Sequence, residues 1–111
     1  MKTVQFPEFV KNLPEADLPV QGIRGWLLNS ENGQVLFLKT EQTTDIPMHQ
    51  HGDQWGIVIE GSIALTIAEK TETYNQGESY FIPAGTMHGA VLHEGCRVLD
   101  YFADKERYRI K

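Results

Sequence analysis

The sequence is poor in cysteine, in positive charge and in long apolar runs. Its 111 residues include a single cysteine, Cys96, which excludes an intramolecular disulfide and favours a cytoplasmic protein. The formal net charge of -5 argues against nucleic acid or an anionic membrane as the main partner. No run approaches the roughly 18 apolar residues of a membrane span, and the first ten residues show no signal-peptide pattern.

The sequence also lacks a sustained helical period after its first twenty residues. Short β-rich runs separated by glycine, proline and asparagine predict one all-β domain, a sandwich or a barrel. Asn32-Gly33 is a hairpin-turn signal, and the polar residues 41–47 are predicted to connect two strands. The predicted strands are residues 22–28, 34–40, 54–59, 62–68, 72–74, 79–82, 89–93 and 97–101.

Three regions divide the chain. Residues 1–20 form an N-terminal arm broken by Pro7, Pro14 and Pro19, with room for one helical turn around residues 8–12. We expect this arm to pack over the barrel or over a neighbouring subunit. Residues 21–104 are predicted to form the barrel, and residues 105–111 form a charged C-terminal tail.

Apolar residues occur on both faces of the predicted strand 54–59. This pattern predicts a strand that is covered on both sides, by the barrel interior and by a second sheet or subunit. A homodimer is therefore expected, because such a strand would be poorly covered in a monomer. Tyr80, Phe81, Tyr101 and Phe102 are expected to line or fill the barrel.

Histidine carries the clearest chemical signal. His49 and His51 are two residues apart, so in an extended chain both imidazoles lie on one face and can reach one ion. His88 follows a proline-glycine turn, while Gln54 lies three residues after His51, beyond a Gly-Asp pair that can turn the chain inward again. His93 lies outside this pattern and is expected at the surface.

Two segments resemble the motifs of the cupin superfamily. Residues 47–54 with residues 59–61 are similar to its first motif, and residues 77–88 are similar to its second. The resemblance implies a small single-domain cupin, a jelly-roll barrel or double-stranded β-helix. It also implies one divalent metal ion inside the barrel, either Fe, Mn, Ni, Zn or Co. The implied metal ligands are His49, His51, Gln54 and His88.

Gln54 stands where the family has glutamate. Its amide oxygen is neutral and a weaker donor than carboxylate, which makes it a loose fourth ligand or a donor behind the ligands. A three-histidine site leaves coordination positions open, so the resemblance implies a dioxygenase, isomerase or lyase acting on a small organic substrate, with an apolar or aromatic acid favoured. No acid-base pair is recognised beside the histidines. The alternatives are a non-catalytic module that binds or senses a small ligand or metal, and a vestigial cupin without metal.

Overall fold

The computed structural model describes residues 4–111. Within them it contains one short helix and nine strands. These elements are α1 (Glu8–Lys11), β1 (Ile23–Ser30), β2 (Gly33–Thr40), β3 (Thr44–His49), β4 (Gln54–Glu60), β5 (Ser62–Ile67), β6 (Lys70–Asn75), β7 (Ser79–Ile82), β8 (His88–Leu92) and β9 (Arg97–Phe102).

The strands form two antiparallel sheets that face each other. One has five strands in the order β1-β2-β9-β4-β7, and the other has four in the order β3-β8-β5-β6. Apart from the neighbouring pairs β1-β2 and β5-β6, strands that follow one another in the chain lie in different sheets. This arrangement confirms the prediction of an all-β jelly-roll barrel.

The apolar core lies between the sheets and follows strand alternation. In β2, Leu36 and Leu38 point inward and are nearly fully buried, and in β5 Ile63 and Leu65 do the same. Cys96 is fully buried as a free thiol beside the Thr40 hydroxyl. Each sheet therefore contributes one face to a single closed interior.

The prediction for residues 41–47 was wrong, because β3 begins at Thr44. Asp45 and Pro47 made this stretch look like a loop, yet β3 pairs with β8 through backbone groups and contributes only Thr44 as a buried residue. The hairpin between β1 and β2 turns at Glu31 and Asn32, one residue earlier than predicted.

The N-terminal arm lies against its own barrel over residues 4–20, and its first three residues are outside the described range. Phe6 packs edge-on against Trp26 and Phe37 on the outer face of the five-stranded sheet. Farther along, the arm pairs with the C-terminal tail, where the Asp17 N–H donates to the Arg109 carbonyl at 2.8 Å. Among the residues described, no helix has the length and hydropathy needed to cross a membrane.

Within one chain, the outer face of β4 is only partly covered. Trp55 is 41% exposed, so this chain by itself does not cover both faces of the strand. Tyr80 and Phe102 point into the barrel as expected, whereas Phe81 and Tyr101 point outward and are exposed. The prediction that Phe81 and Tyr101 lie in the interior was wrong. Successive side chains of a strand point to opposite faces, so the neighbours of the inward-facing Tyr80 and Phe102 point outward.

Candidate metal centre

Strand pairing brings two of the three motif histidines together. His49 ends β3 and His88 begins β8, and the two residues are opposite each other in the antiparallel register. A β-bulge between Ile46 and His49 shifts the register just before this pair. Such a bulge changes the direction of the side chains that follow, which places both imidazoles at the end of the barrel.

The third histidine, His51, lies in the connection between β3 and β4. Its carbonyl accepts a hydrogen bond from the Gly85 N–H at 2.9 Å. Two residues later, the Asp53 carboxylate accepts a bond from the Ala84 N–H at 2.8 Å. Both bonds tie this connection to the turn that precedes His88. Asp53 is therefore a structural residue of the turn, as expected, and is not part of the group of histidines.

His49, His51 and His88, here called the histidine cluster, share one hydrogen-bonding pattern. Each Nδ1 contacts a backbone carbonyl oxygen, at 2.7 Å for His49 and 2.9 Å for the other two. A carbonyl only accepts, so each Nδ1 carries the hydrogen and each Nε2 keeps its lone pair. The nitrogens that the three rings offer all lie within 4.8 Å of one another.

The pKa values of His51 and His88 favour neutral imidazoles. Burial is the main cause that lowers the pKa of His51 to about 4, with smaller contributions from the charges of Arg107 and the other two histidines. Burial also lowers the pKa of His88. Near neutral pH these two rings are therefore unprotonated, which is the form that binds a metal ion.

The spacing of two nitrogens tests whether a metal ion fits. Nε2 of His51 lies 3.1 Å from Nε2 of His88. If two nitrogens each lie about 2.1 Å from one ion, the distance between them is about 3.0 Å when the nitrogen–metal–nitrogen angle is a right angle. The distance is about 3.4 Å when the coordination is tetrahedral. Without a cation, two lone pairs would face each other at this distance with no hydrogen between them. The histidine cluster therefore fits one divalent transition metal ion.

Gln54 makes a hydrogen bond that the sequence did not predict. Its Nε2 donates to Oδ1 of Asp100 at 3.0 Å, and the Tyr80 hydroxyl donates to the same oxygen at 2.6 Å. Gln54 lines the same interior cavity as His49 and His88, and within residues 4–111 its amide oxygen makes no hydrogen bond. Its role as a fourth ligand stays a prediction.

Gln54, Tyr80 and Asp100 form a second polar group, here called the carboxyl cluster. Burial raises the pKa of Asp100 to about 6, although the bonds from Tyr80 and Gln54 oppose this rise. Sequence reasoning missed this group and found no acid-base pair near the histidines. The available signal was the alternation of Val98, Asp100 and Phe102, which places the carboxyl on the inward face of β9.

A small cavity of about 60 Å³ connects the two clusters inside the barrel, and its walls are otherwise mainly aliphatic and aromatic. A larger cavity of about 430 Å³ lies at the barrel mouth and is lined by His49 and His51. His93 is elsewhere, where its Nδ1 contacts the carbonyl oxygen of Ser62 at 3.0 Å. The barrel therefore holds one histidine site, with a small interior cavity on one side and space for a small molecule at the mouth on the other.

Comparison with known proteins decides the family. The cupin domain model (Cupin_2) matches residues 35–102, which include both histidine motifs and most of the barrel. The chain is a cupin. A sequence comparison with curated proteins found no match, so the family is known but no curated relative names an activity.

Solved cupin structures share the fold at low sequence identity. An RmlC-like cupin from Shewanella frigidimarina NCIMB 400 is 19% identical with a TM-score of 0.73, over 96% of this chain and 95% of that one. KdgF from Halomonas sp. is 21% identical with a TM-score of 0.70, over 82% and 87%. Oxalate decarboxylase from Bacillus subtilis is also 21% identical, with a TM-score of 0.73 over 86% of this cupin but 28% of that chain.

Proposed function

We propose that this cupin binds one divalent transition metal ion through Nε2 of His49, His51 and His88 and presents it to a small organic molecule. The observation that carries the proposal is the 3.1 Å approach of the His51 and His88 Nε2 atoms while each Nδ1 contacts a carbonyl. A shared cation satisfies these lone pairs, and no donor among residues 4–111 does so.

The proposed activity is that of a metal-dependent dioxygenase, isomerase or lyase. A metal held by three neutral imidazoles supplies a Lewis acid, or with Fe or Mn a redox centre, and keeps coordination positions open. The candidate ions are Fe, Mn, Ni, Zn and Co. Oxalate decarboxylase of Bacillus subtilis, a structural neighbour, is described with Mn(II) centres, which supports including manganese.

The carboxyl cluster supplies the residues of the proposed proton chemistry. Asp100 is buried, and its pKa of about 6 lets it hold or release a proton near neutral pH. Tyr80 and Gln54 hold its Oδ1 in place, so the carboxyl group has a fixed direction toward the cavity that His49 and His88 also line.

Elemental analysis of the purified protein tests the metal proposal. We expect close to one metal ion per chain after incubation with the candidate ions and removal of the excess. The His49→Ala/His88→Ala double variant is expected to retain none, while His93→Ala, which changes a histidine outside the cluster, keeps the wild-type content. Equal metal content in the double variant and the wild type would overturn the proposal.

A homodimer is also part of the proposal. Five apolar side chains lie opposite one another across the outer face of the five-stranded sheet, one from each strand. All are exposed or partly exposed, and a continuous apolar row of this kind is uncommon on a monomer. The row consists of Leu28, Val35, Tyr101, Trp55 and Phe81.

Sedimentation tests this interface. Trp55→Glu is expected to shift a wild-type dimer to monomers, because it places a charge within the apolar row, between Tyr101 and Phe81. Thr73→Glu adds the same charge to an exposed position of β6 in the other sheet and is expected to leave the dimer intact. A wild-type chain that sediments as a monomer at micromolar concentration would contradict the homodimer.

The proposed function also includes a cytoplasmic location, which the single free cysteine supports.

A further inference from the structure

Arg107 lies at the barrel mouth as a cation with no acidic partner in the described part of the chain. Its Nε is buried and has no hydrogen-bond partner there. Within residues 4–111, no salt bridge joins its guanidinium to a carboxylate, although other arginines of the chain, such as Arg24 and Arg97, are paired. A half-buried guanidinium without an anion is costly, which indicates that an anion from outside the chain completes it.

The surrounding residues hold Arg107 in place. Its guanidinium carbon lies 4.3 Å from the ring centre of Tyr108 and 5.8 Å from that of Phe102. An arginine stacked on aromatic rings keeps the N–H groups along its edge free to donate. Gln34 fixes the neighbouring backbone, because its amide accepts from the Tyr108 N–H and donates to the Tyr108 carbonyl, both at 2.9 Å. The cation is therefore positioned before any ligand binds.

The tail that carries Arg107 is also attached to the histidine site. The Asp104 carboxylate accepts a hydrogen bond at 2.8 Å from the N–H of Gly52, the residue after His51. Arg107 lines the mouth cavity of about 430 Å³ together with His49 and His51. Of residues 4–111, no acidic residue lines this cavity, whose other walls are mainly proline and aliphatic side chains such as Ile23 and Ile46.

Among residues 4–111, those that line the mouth cavity carry charge of one sign only, and the nearby Asp104 carboxylate is directed to the Gly52 N–H. A divalent ion in the histidine cluster would keep its full charge because the imidazoles are neutral, and Arg107 adds another positive charge. Gln54 contributes none, since it is an amide. A ligand with a carboxylate would balance this charge, and the planar carboxylate matches the paired donors of a guanidinium. A phosphate is less suited, because a single arginine offers it few donors.

We infer that Arg107 binds the carboxylate of a small organic acid in the mouth cavity, with the apolar part of the acid against Ile23 and Ile46. This inference rests on the proposed function for the presence of the metal ion, and it names the substrate class of that site. The negative charge of the same carboxylate would attract both the metal ion in the histidine cluster and the Arg107 guanidinium. A bound carboxylate should therefore tighten metal binding, and metal should tighten carboxylate binding by the same factor.

Calorimetric titration of the metal-free 111-residue chain with benzoate tests the inference. We expect saturable binding that weakens roughly tenfold or more in Arg107→Met, since a hydrogen-bonded ion pair is lost. Arg107→Lys keeps the charge but loses the paired donors, so an intermediate loss is expected. Arg109→Met removes an equal charge from an exposed position two residues along the same tail, and it should bind benzoate as the wild type does.

The uncharged probe benzamide and inorganic phosphate complete the test. Both are expected to bind roughly tenfold or more weakly than benzoate. Wild-type affinity for benzoate in Arg107→Met, tighter binding of phosphate, or no benzoate binding by the wild type at about 10 mM would each overturn the inference. Because these titrations contain no metal, an Arg107-dependent affinity for benzoate supports the subsite even if elemental analysis overturns the metal proposal.

Discussion

The histidine cluster and the carboxyl cluster lie in one barrel and differ in how their polar atoms are satisfied. In the carboxyl cluster donors meet an acceptor, because Tyr80 and Gln54 both donate to Asp100. In the histidine cluster two acceptors face each other at 3.1 Å. The two donors and the acceptor of the first arrangement satisfy one another within the protein, whereas the facing acceptors of the second are satisfied when a cation binds. This contrast separates a built-in network from a binding site.

The two clusters also differ in the elements that carry them. The carboxyl cluster is built on the inward faces of β4, β7 and β9, in the five-stranded sheet. The histidine cluster lies at the ends of β3 and β8 and in a connection between strands. We expect changes in the carboxyl cluster to alter mainly stability and the proposed proton chemistry rather than metal binding, and changes in the histidine cluster to alter mainly metal binding.

The largest expected effect comes from removing a ligand. His88→Ala should weaken Zn²⁺ binding by roughly 100-fold or more, since one of three strong donors is lost. Gln54→Ala should weaken it by less than about tenfold, since an amide oxygen is a poor ligand. Competition with a chelator of known affinity measures both variants. Equal losses in the two variants would mean that Gln54 is a ligand of the same rank as the histidines.

The second largest expected effect is on the free energy of unfolding, through the tight packing around the carboxyl cluster. A Cβ atom at Gly56 would clash with Oδ1 of Asp100 and with the hydroxyl of Tyr80. Gly56→Ala should therefore lower the free energy of unfolding by about 2–4 kcal/mol. Gly95→Ala meets no atom within 4 Å but has a φ of +81°, so it should cost only about 1 kcal/mol. Urea denaturation compares the two, and an equal cost would contradict the tight packing of the carboxyl cluster.

The smallest expected effect is on pH dependence. Asp100 has its pKa raised from 3.8 to about 6, so the folded state binds the extra proton between these values and loses stability as pH rises through them. His51 has its pKa lowered from 6.5 to about 4, so its contribution runs the other way and stability rises with pH. The two contributions oppose each other in the metal-free protein.

Asp100→Asn removes one of these opposing contributions. The melting temperature of the metal-free variant should therefore rise more steeply than that of the wild type between pH 4 and 6.5. Calorimetric scans across this range measure the slope. A slope that stays the same or becomes flatter would show that Asp100 is ionised in the folded protein throughout this range.

The fold could be predicted because the spacing of the motif residues and the alternation of apolar residues along each strand are read from neighbouring positions in the sequence. The histidine motifs and the short alternating strands required no knowledge of distant contacts, and eight of the nine strands were predicted near their observed positions. β3 escaped prediction because Asp45 and Pro47 are unusual strand residues, and backbone pairing with β8 overrides that preference. Tertiary pairing, rather than propensity, determines this strand.

The rest of the site required contacts between residues that are distant in the sequence. Asp100 is 46 residues from Gln54 and 20 from Tyr80, and no local motif connects them. Arg107 belonged to a tail that was predicted only as charged, yet Gln34 and Tyr108 bring it to the barrel mouth. Asp100 could be recognised only from the strand register, and Arg107 only from the path of the C-terminal tail.

The central claim is that three Nε2 atoms bind one ion, and NMR of ¹⁵N-labelled histidine side chains tests it most directly. On addition of one equivalent of Zn²⁺, we expect the Nε2 signals of His49, His51 and His88 to shift to values typical of metal ligands, while their Nδ1 signals stay protonated. The signals of His93 should not change. Zn²⁺ binding through Nδ1, or no shift in any two of the three histidines, would contradict the account.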